Sequence, residues 1–405
     1  MNNILLITIS GEDQPGFTAG LTAILADHSV SILDIGQSVI HATLSLGLLV
    51  ELSENYAGEQ VAEAVRNFAL ERDLRAVTSV VSPESYSYWV EAQGLARYII
   101  TLLARKITSD QLARVTAVIS KHGLNIDSIN RLSGRIPLGE PPALSKACVE
   151  FSARGSIRDP AAFRRELLEV AGVLEVDLAF QQDNMYRRTR RLVAFDMDST
   201  LIEAEVIDEL AKLAGVGEQV SAITERAMRG EIDFSESFRA RVALLEGLEE
   251  SALERVASEL KITEGAEHLI STLRTLGYKT AILSGGFSYF AKHLQDRLGM
   301  DYVYANELDI AQGVVTGKIQ GEIVDGARKA QLLRQLADDL GINLQQVIAV
   351  GDGANDLPML SIAGLGIAFR AKPLVQKSAE QSISTLGLDA ILYLLGISDK
   401  QQSKI

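Results

Sequence analysis

The chain has 405 residues, 47% of them hydrophobic and 23% charged, which places it among globular proteins and, at about 100–200 residues per domain, predicts two or three domains. Acidic residues outnumber basic ones by 53 to 39, giving a net charge of -14, and no Lys/Arg block is long enough to follow a phosphate backbone, which argues against a nucleic-acid partner. The single Cys148 cannot form an internal disulfide, the opening MNNILLITISGED lacks the pattern of a secretory signal, and apolar runs such as Leu44 to Val50 stop well short of a bilayer span, so the expected location is cytoplasmic, with no membrane partner.

An apolar strand-type run over Ile4–Ile9 is followed by an amphipathic helix pattern, a second strand, an alternating stretch over Thr43–Leu52, a helix over Glu59–Glu71 and a strand over Ala76–Val81. After a bridging segment, Ser82–Gly94, the same order returns: Tyr98–Leu103, a helix, a strand, Lys146–Ala153, Pro160–Ala171 and Leu174–Phe180. An offset of 94 residues superimposes LTAILADHSVSILDI (21–35) on VTAVISKHGLNIDSI (115–129), with Thr22/Thr116, Ala23/Ala117, His28/His122, Ile32/Ile126 and Ile35/Ile129 identical. The first 180 or so residues are therefore a duplication, and the order β-α-β-β-α-β is the ferredoxin-like one. In residue order and in Asp13-Gln14-Pro15-Gly16 the first copy resembles an ACT domain, a small module that binds amino acids. The second copy carries Thr108-Ser109-Asp110 at the corresponding turn, so it lacks the Gly that would let a ligand approach the backbone closely.

From Leu192 the pattern changes to near-continuous apolar strands (Leu192–Phe195, Thr280–Leu283, Val347–Val350) alternating with helices, as in a parallel sheet buried on both faces. Helix-rich Val206–Leu260 is long enough for a cap of its own, and Asn306–Ile323 reads as a hairpin. Four elements along this half carry chemistry, three of them just past a core strand, where open α/β sheets bind ligands. Asp196-Met197-Asp198 puts two carboxylates beside an apolar strand, costly unless a cation lies between them. Ser284-Gly285-Gly286 offers a hydroxyl and unhindered amides suited to phosphate oxygens. Lys329 heads a helix pattern that runs to Leu340. Gly351-Asp352-Gly353-Ala354-Asn355-Asp356 supplies hard oxygen donors of the kind Mg²⁺ prefers; a dinucleotide fingerprint is the competing reading, but the third glycine is missing.

In this order the four elements resemble the motifs of the haloacid dehalogenase superfamily of phosphotransferases. Glu205, Ala227-Met228-Arg229-Gly230, Asp233-Phe234 and Arg239-Ala240-Arg241-Val242 are similar to phosphoserine phosphatases within it, and the layout is similar to the long bacterial forms of that family. The expected fold is α/β: a Rossmann-like parallel-sheet core with a helical cap (about 205–262) over residues 190–398, preceded by ACT-like domains at 1–84 and 92–182.

The resemblance implies Mg²⁺-dependent hydrolysis of phosphoserine, the last step of serine biosynthesis, through an aspartyl-phosphate. It makes Asp196 the nucleophile, Asp198 the general acid and base, and Lys329 the neutralising cation. Metal ligation falls to Asp196, Asp198 (through its carbonyl) and Asp352, with Asp356 supporting the shell or orienting Lys329. Ser284, Gly285, Lys329 and Asn355 would hold the phosphoryl oxygens. Glu205 and Arg241 would pair with the substrate ammonium and carboxylate, beside an apolar wall of Met228 and Phe234. Further expectations are a homodimer and an amino-acid effector such as serine near Asp13, Gly16 and Asn125. The alternatives are a phosphatase of another small phosphomonoester and an amino-acid-sensing protein with a silent catalytic domain.

Overall fold

The computed structural model describes residues 3–52, 58–135 and 145–402, except for the side chain of Met228. The chain divides into two compact units, Met1–Leu95 and Ala96–Ile405.

In the first unit, strands β1 (Asn3–Glu12), β2 (Ser31–Ile40), β3 (Thr43–Leu52) and β4 (Arg75–Val81) form an antiparallel sheet in the order β2-β3-β1-β4. Alternation along β3 sends Leu44, Leu46, Leu48, Val50 and Leu52 to one face. Helices Phe17–Asp27 and Gly58–Leu70 cover that face, their close approach depending on Gly20, where a Cβ would lie 2.5 Å from the Phe68 ring. The Ser82–Gly94 bridge is a helix, Pro83–Gln93. Ser82 caps it by accepting a hydrogen bond from the Ser85 amide (3.2 Å), and Pro83 occupies the first turn, where its missing N–H costs nothing.

In the second unit, β5 (Arg97–Ala104), β6 (Leu124–Arg131), β7 (Ala147–Gly155) and β8 (Asp177–Gln182) repeat the order as β6-β7-β5-β8. The duplication extends to a register irregularity between Ile32 and Asp34 in β2, matched between Ile126 and Ser128 in β6. The helix starts differ. Gly16 enters the first with a left-handed φ of 82°, whereas Thr108 and Gln111 close a reciprocal capping box at the second. One face of this second sheet packs on its own helices, while Leu103, Cys148 and Ala179 join the core of the following α/β part. This double burial explains why β5 is apolar almost throughout.

The α/β part is a seven-stranded sheet of β9 (Leu192–Phe195), β10 (Lys279–Phe287), β11 (Tyr302–Ala311), β12 (Val314–Gln320), β13 (Val347–Gly351), β14 (Leu365–Phe369) and β15 (Gln381–Ile383), ordered β12-β11-β10-β9-β13-β14-β15. All pairs are parallel except the β11–β12 hairpin. Val193 and Phe195 face one core, Leu192 and Ala194 the other, and all four are fully buried. Sequence order runs outward in both directions from β9, so the carboxyl end of β9 is a topological switch point.

Four helices, Val206–Leu213, Gly217–Met228, Phe234–Ala243 and Ser251–Glu259, make up the cap. The segment after Leu395 is anchored: Asp399 accepts from the Tyr393 hydroxyl (2.6 Å) and the Gly134 amide (2.6 Å).

The second module docks on the sheet's far edge. Buried Asp177 accepts from the amides of Ser384 and Thr385 (both 2.8 Å), and Gln381 exchanges two hydrogen bonds with the Phe180 backbone (2.8 and 2.6 Å). Among the described residues, no helix is long and apolar enough to cross a membrane.

Candidate active site

The chain leaves β9 with the Asp196 amide still donating to Val350 O (2.8 Å), which holds the first residue past the strand against β13. It then turns sharply. The amides of Leu201 and Ile202 converge on Met197 O (2.9 and 3.2 Å), and Ser199 adopts a left-handed φ of 55°, a strained conformation for a non-glycine residue. This turn points Asp196 and Asp198 to the same rim. Asp196 Oδ1 accepts from the Met197 amide (2.7 Å), and Asp198 Oδ1 from the Val206 amide (2.9 Å) at the first turn of the cap.

Lys329 comes from the first turn of helix Gly326–Asp339, whose start is capped by Asp325. Although fully buried, its Nζ reaches Asp196 Oδ1 at 2.9 Å and Asp356 Oδ1 at 2.7 Å. Asp356 Oδ2 accepts in turn from the Gly353 amide (2.9 Å). Gly351 makes room for that carboxylate, since a Cβ there would lie 2.4 Å from Asp356 Cγ. Asp352 accepts from the Thr200 hydroxyl (3.2 Å), tying the loop after β13 to the loop after β9.

Oxygens of Asp196, Asp352 and Asp356 lie within 4.8 Å of one another. Three carboxylates and one ammonium leave this cluster net negative and oxygen-rich, which fits a hard divalent cation. Burial first and then Asp356 hold Asp196 well above the ordinary carboxylate range. Burial, then Asp356, pushes Asp352 to about 7, and burial, then Glu205, pushes Asp198 to about 8. Burial also works against the Lys329 ammonium, but Asp196 and Asp356 outweigh it and keep the group charged.

On the opposite side of the rim, strand pairing of β10 is interrupted between Leu283 and Phe287. Ser284 accepts there from the Gly286 amide (2.8 Å), and Asn306, 1% exposed, braces the loop by donating to Gly285 O and accepting from the Val324 amide (both 2.8 Å). A Cβ at Gly286 would lie 2.5 Å from Asp198 Oδ2, and one at Gly285 would lie 2.8 Å from the Phe234 ring. The Asp198 carboxyl and a cap aromatic thus both close on this loop. Phe234 stacks on Phe238 (5.9 Å, 9°), which packs on Phe287.

A cavity of 980 Å³ joins Asp196, Asp198, Asp352, Gly285 and Asn355 to Glu205, Phe234 and Arg241 of the cap, near the upper end of the roughly 300–1,000 Å³ usual for small-ligand sites. Glu205 accepts from the Ser199 hydroxyl (2.9 Å). Arg241 has a buried Nε with no hydrogen-bond partner among the described residues, and its guanidinium carbon lies 6.0 Å from the Phe238 ring centre. Burial lowers its pKa, opposed by Glu205 and Asp208.

Every expected catalytic, metal and substrate residue therefore borders this cavity or contacts one that does, apart from Met228, whose side chain lies outside the described residues. Asp13, Gly16 and Asn125 are exposed; the first two precede helix Phe17–Asp27 in the first unit, and Asn125 lies on β6 in the second. Sequence reasoning missed Thr200, Asn306, Asp208 and Lys372, of which Asp208 and Lys372 line the cavity. Applying the strand-end rule to β14 would have found Lys372.

Residues 190–364 match a family model described as haloacid dehalogenase-like hydrolase, and residues 3–79 one described as an ACT domain. The chain is 41% identical to a phosphoserine phosphatase of Streptomyces coelicolor, over 98% of this chain and 93% of that one. It is 38% identical to a phosphoserine phosphatase of Mycobacterium tuberculosis, over 97% and 93%. Among solved structures, a haloacid dehalogenase family hydrolase from Salmonella enterica serovar Typhi superposes with a TM-score of 0.64 at 31% identity, covering 73% of this chain and 98% of that one.

Proposed function

Because the chain belongs to the phosphoserine phosphatase family of haloacid dehalogenase-like hydrolases and is a phosphatase, we propose that it hydrolyses O-phospho-L-serine to L-serine and phosphate through an aspartyl-phosphate on Asp196, with Mg²⁺ as its metal. The observation that carries this reading is the buried Lys329 ammonium bridging Asp196 and Asp356 beside Asp352. A carboxylate approaches a phosphate dianion only where charge is neutralised.

Asp196, Asp352 and the carbonyl of Asp198 would hold Mg²⁺, which when bound supplies positive charge for the phosphoryl oxygens. The Met197 amide and Lys329 fix the Asp196 carboxylate, and Asp356 orients Lys329. In the first half-reaction an Asp196 oxygen forms a bond to phosphorus while the bond from phosphorus to the seryl oxygen breaks. Asp198 gives its proton to that leaving oxygen, burial and then Glu205 raising its carboxyl and so favouring the protonated form. In the second half-reaction Asp198, now ionised, takes a proton from the water that attacks the phosphoryl group, and Asp196 is released.

Ser284, Gly285 and Asn355 bind the phosphoryl oxygens. Glu205 faces the substrate ammonium and Arg241 its carboxylate, the buried, unpartnered Arg241 Nε being the donor that such a ligand would satisfy. Phe234, with Met228, excludes water when the cap closes.

The remaining parts of the reading are proposals of the same kind: a cytoplasmic homodimer that completes serine biosynthesis, three domains spanning about 1–84, 92–182 and 190–398, and modulation by an amino acid such as serine bound near Asp13, Gly16 and Asn125. Phosphate release from a panel of phosphorylated metabolites, with and without Mg²⁺, tests the chemistry. Phosphoserine is expected to lead the panel, activity to vanish on chelation, and Asp196→Asn to fall by several orders of magnitude. Activity retained by Asp196→Asn would remove that residue from the mechanism.

A further inference from the structure

The cap joins the sheet through two segments, an outgoing one after Asp198 and a returning one after Leu260. They touch as a minimal antiparallel ribbon. Ile202 bridges Ile262, the Glu203 amide donates to Lys261 O (2.9 Å), and the Thr263 amide donates to Leu201 O (3.0 Å). Among the described residues this ribbon is the covalent path between the four helices and the sheet, and a second backbone bridge ties Glu249 to Val314 of the β11–β12 hairpin.

A chain of alternating charges runs across it. On the outgoing segment, Glu203 pairs with Lys261 and with Arg370 (3.7 Å). On the returning segment, Glu264 accepts from Arg370 (2.8 Å). Arg370 follows β14 with a left-handed φ of 45°, held by its amide on Ile383 O (2.7 Å), and it opens the segment whose Lys372, Pro373 and Leu374 line the catalytic cavity. The far end of the chain belongs to the second N-terminal module. Arg105, just past β5, grips Glu264 with both ends of its guanidinium (3.0 and 3.0 Å), and that grip is the largest cause of the lowered Glu264 pKa. Lys146 of the same module pairs with Asp389, whose carboxylate sits against Gly265 at the next turn.

We propose that Arg105 and Arg370 are positioning residues which clasp the two cap-bearing segments together, so that the second module, through Arg105, sets how readily the cap opens. Each pair is partly exposed and weak alone. Glu264, however, receives two guanidinium groups in fixed geometry, and losing Arg105 leaves it held by Arg370 alone. The only part of this inference that rests on the phosphatase reading is its kinetic arm.

The test is hydrogen exchange on the full chain, comparing parent with Arg105→Ala, Arg105→Lys and Lys121→Ala, the last removing an ion pair elsewhere on the same module. The expectation for Arg105→Ala is exchange about fivefold faster at 201–205 and 261–265, smaller acceleration for Arg105→Lys, and none for Lys121→Ala. The amides of Ser384 and Thr385, bonded to Asp177, should keep their protection. With phosphoserine, KM should rise while activity on a small aryl phosphate moves less. Unchanged exchange at both segments would overturn the proposal. So would equal acceleration at 384–385, which would mean that Arg105 merely glues the module to the core. If phosphoserine is not the substrate, the kinetic arm fails while the exchange result still decides.

Discussion

Replacing Lys329 by Met isolates what the buried ammonium does. The substitution keeps the length and apolar bulk of the side chain and leaves Asp196 and Asp356 facing each other with oxygens no more than 4.8 Å apart. At an effective dielectric of about 20, two full charges at that separation repel by about 3.5 kcal/mol. At 1.36 kcal/mol per decade, this favours protonating one of the pair by about 300-fold at neutral pH. Whichever of the two takes the proton, the Asp196 carboxylate loses the cation that fixes it and the phosphoryl oxygens lose their partner, so kcat should fall by about that factor. Metal affinity should move the other way at pH 8.5, where the site becomes one unit more negative. Steady-state phosphate release at saturating Mg²⁺ and calorimetric titration of Mg²⁺ into the full chain measure the two. Activity within tenfold of the parent, or Mg²⁺ binding lost along with activity in a folded protein, would refute the reasoning.

In the metal-free protein Asp352 and Asp198 sit at about 7 and about 8, above the roughly 3.9 of an unfolded Asp; the protonated forms therefore favour the fold, and stability should decline as pH rises from about 4 through 8. Mg²⁺ should consequently raise Tm more at pH 8.5 than at pH 5.5, with protons released on binding, and an equal rise at both would contradict these assignments. Gly286→Ala sets a Cβ 2.5 Å from Asp198 Oδ2 and 2.8 Å from Met197 Cε, which should cut kcat about 100-fold with little change in the urea midpoint. Arg241→Ala should raise KM for phosphoserine far more than for an aryl phosphate, an equal effect on both arguing against the carboxylate role.

Sequence made the catalytic rim legible because β9, β13 and the Ala281–Leu283 stretch of β10 are apolar and followed at once by polar or glycine residues, so that apolar runs and chemistry adjoin. The duplication was visible for a similar reason, its identical residues falling on helix Phe17–Asp27, its C-cap His28, strand β2 and their counterparts. Support residues were not legible. Asn306 acts on Gly285 and Val324, and Thr200 on Asp352, through a register and a loop meeting that exist only once the sheet is assembled. The helix Pro83–Gln93 was overlooked because none of its side chains is buried, leaving no apolar face to read. Its Ser-Pro start was the available signal. The charge chain from Arg105 to Glu203 joins residues that nothing in their local sequence connects.

Strands β8 and β15 are the outermost members of their respective sheets, and bare margins of this kind invite strands from other molecules. Here each blunts the other. Gln381 stands in for one rung of a ladder at Phe180, and Asp177 takes up two amides just beyond β15. The two sheets thereby stay separate, free of a rigid eleven-strand merger, yet at this seam neither offers an intruding chain a place to begin.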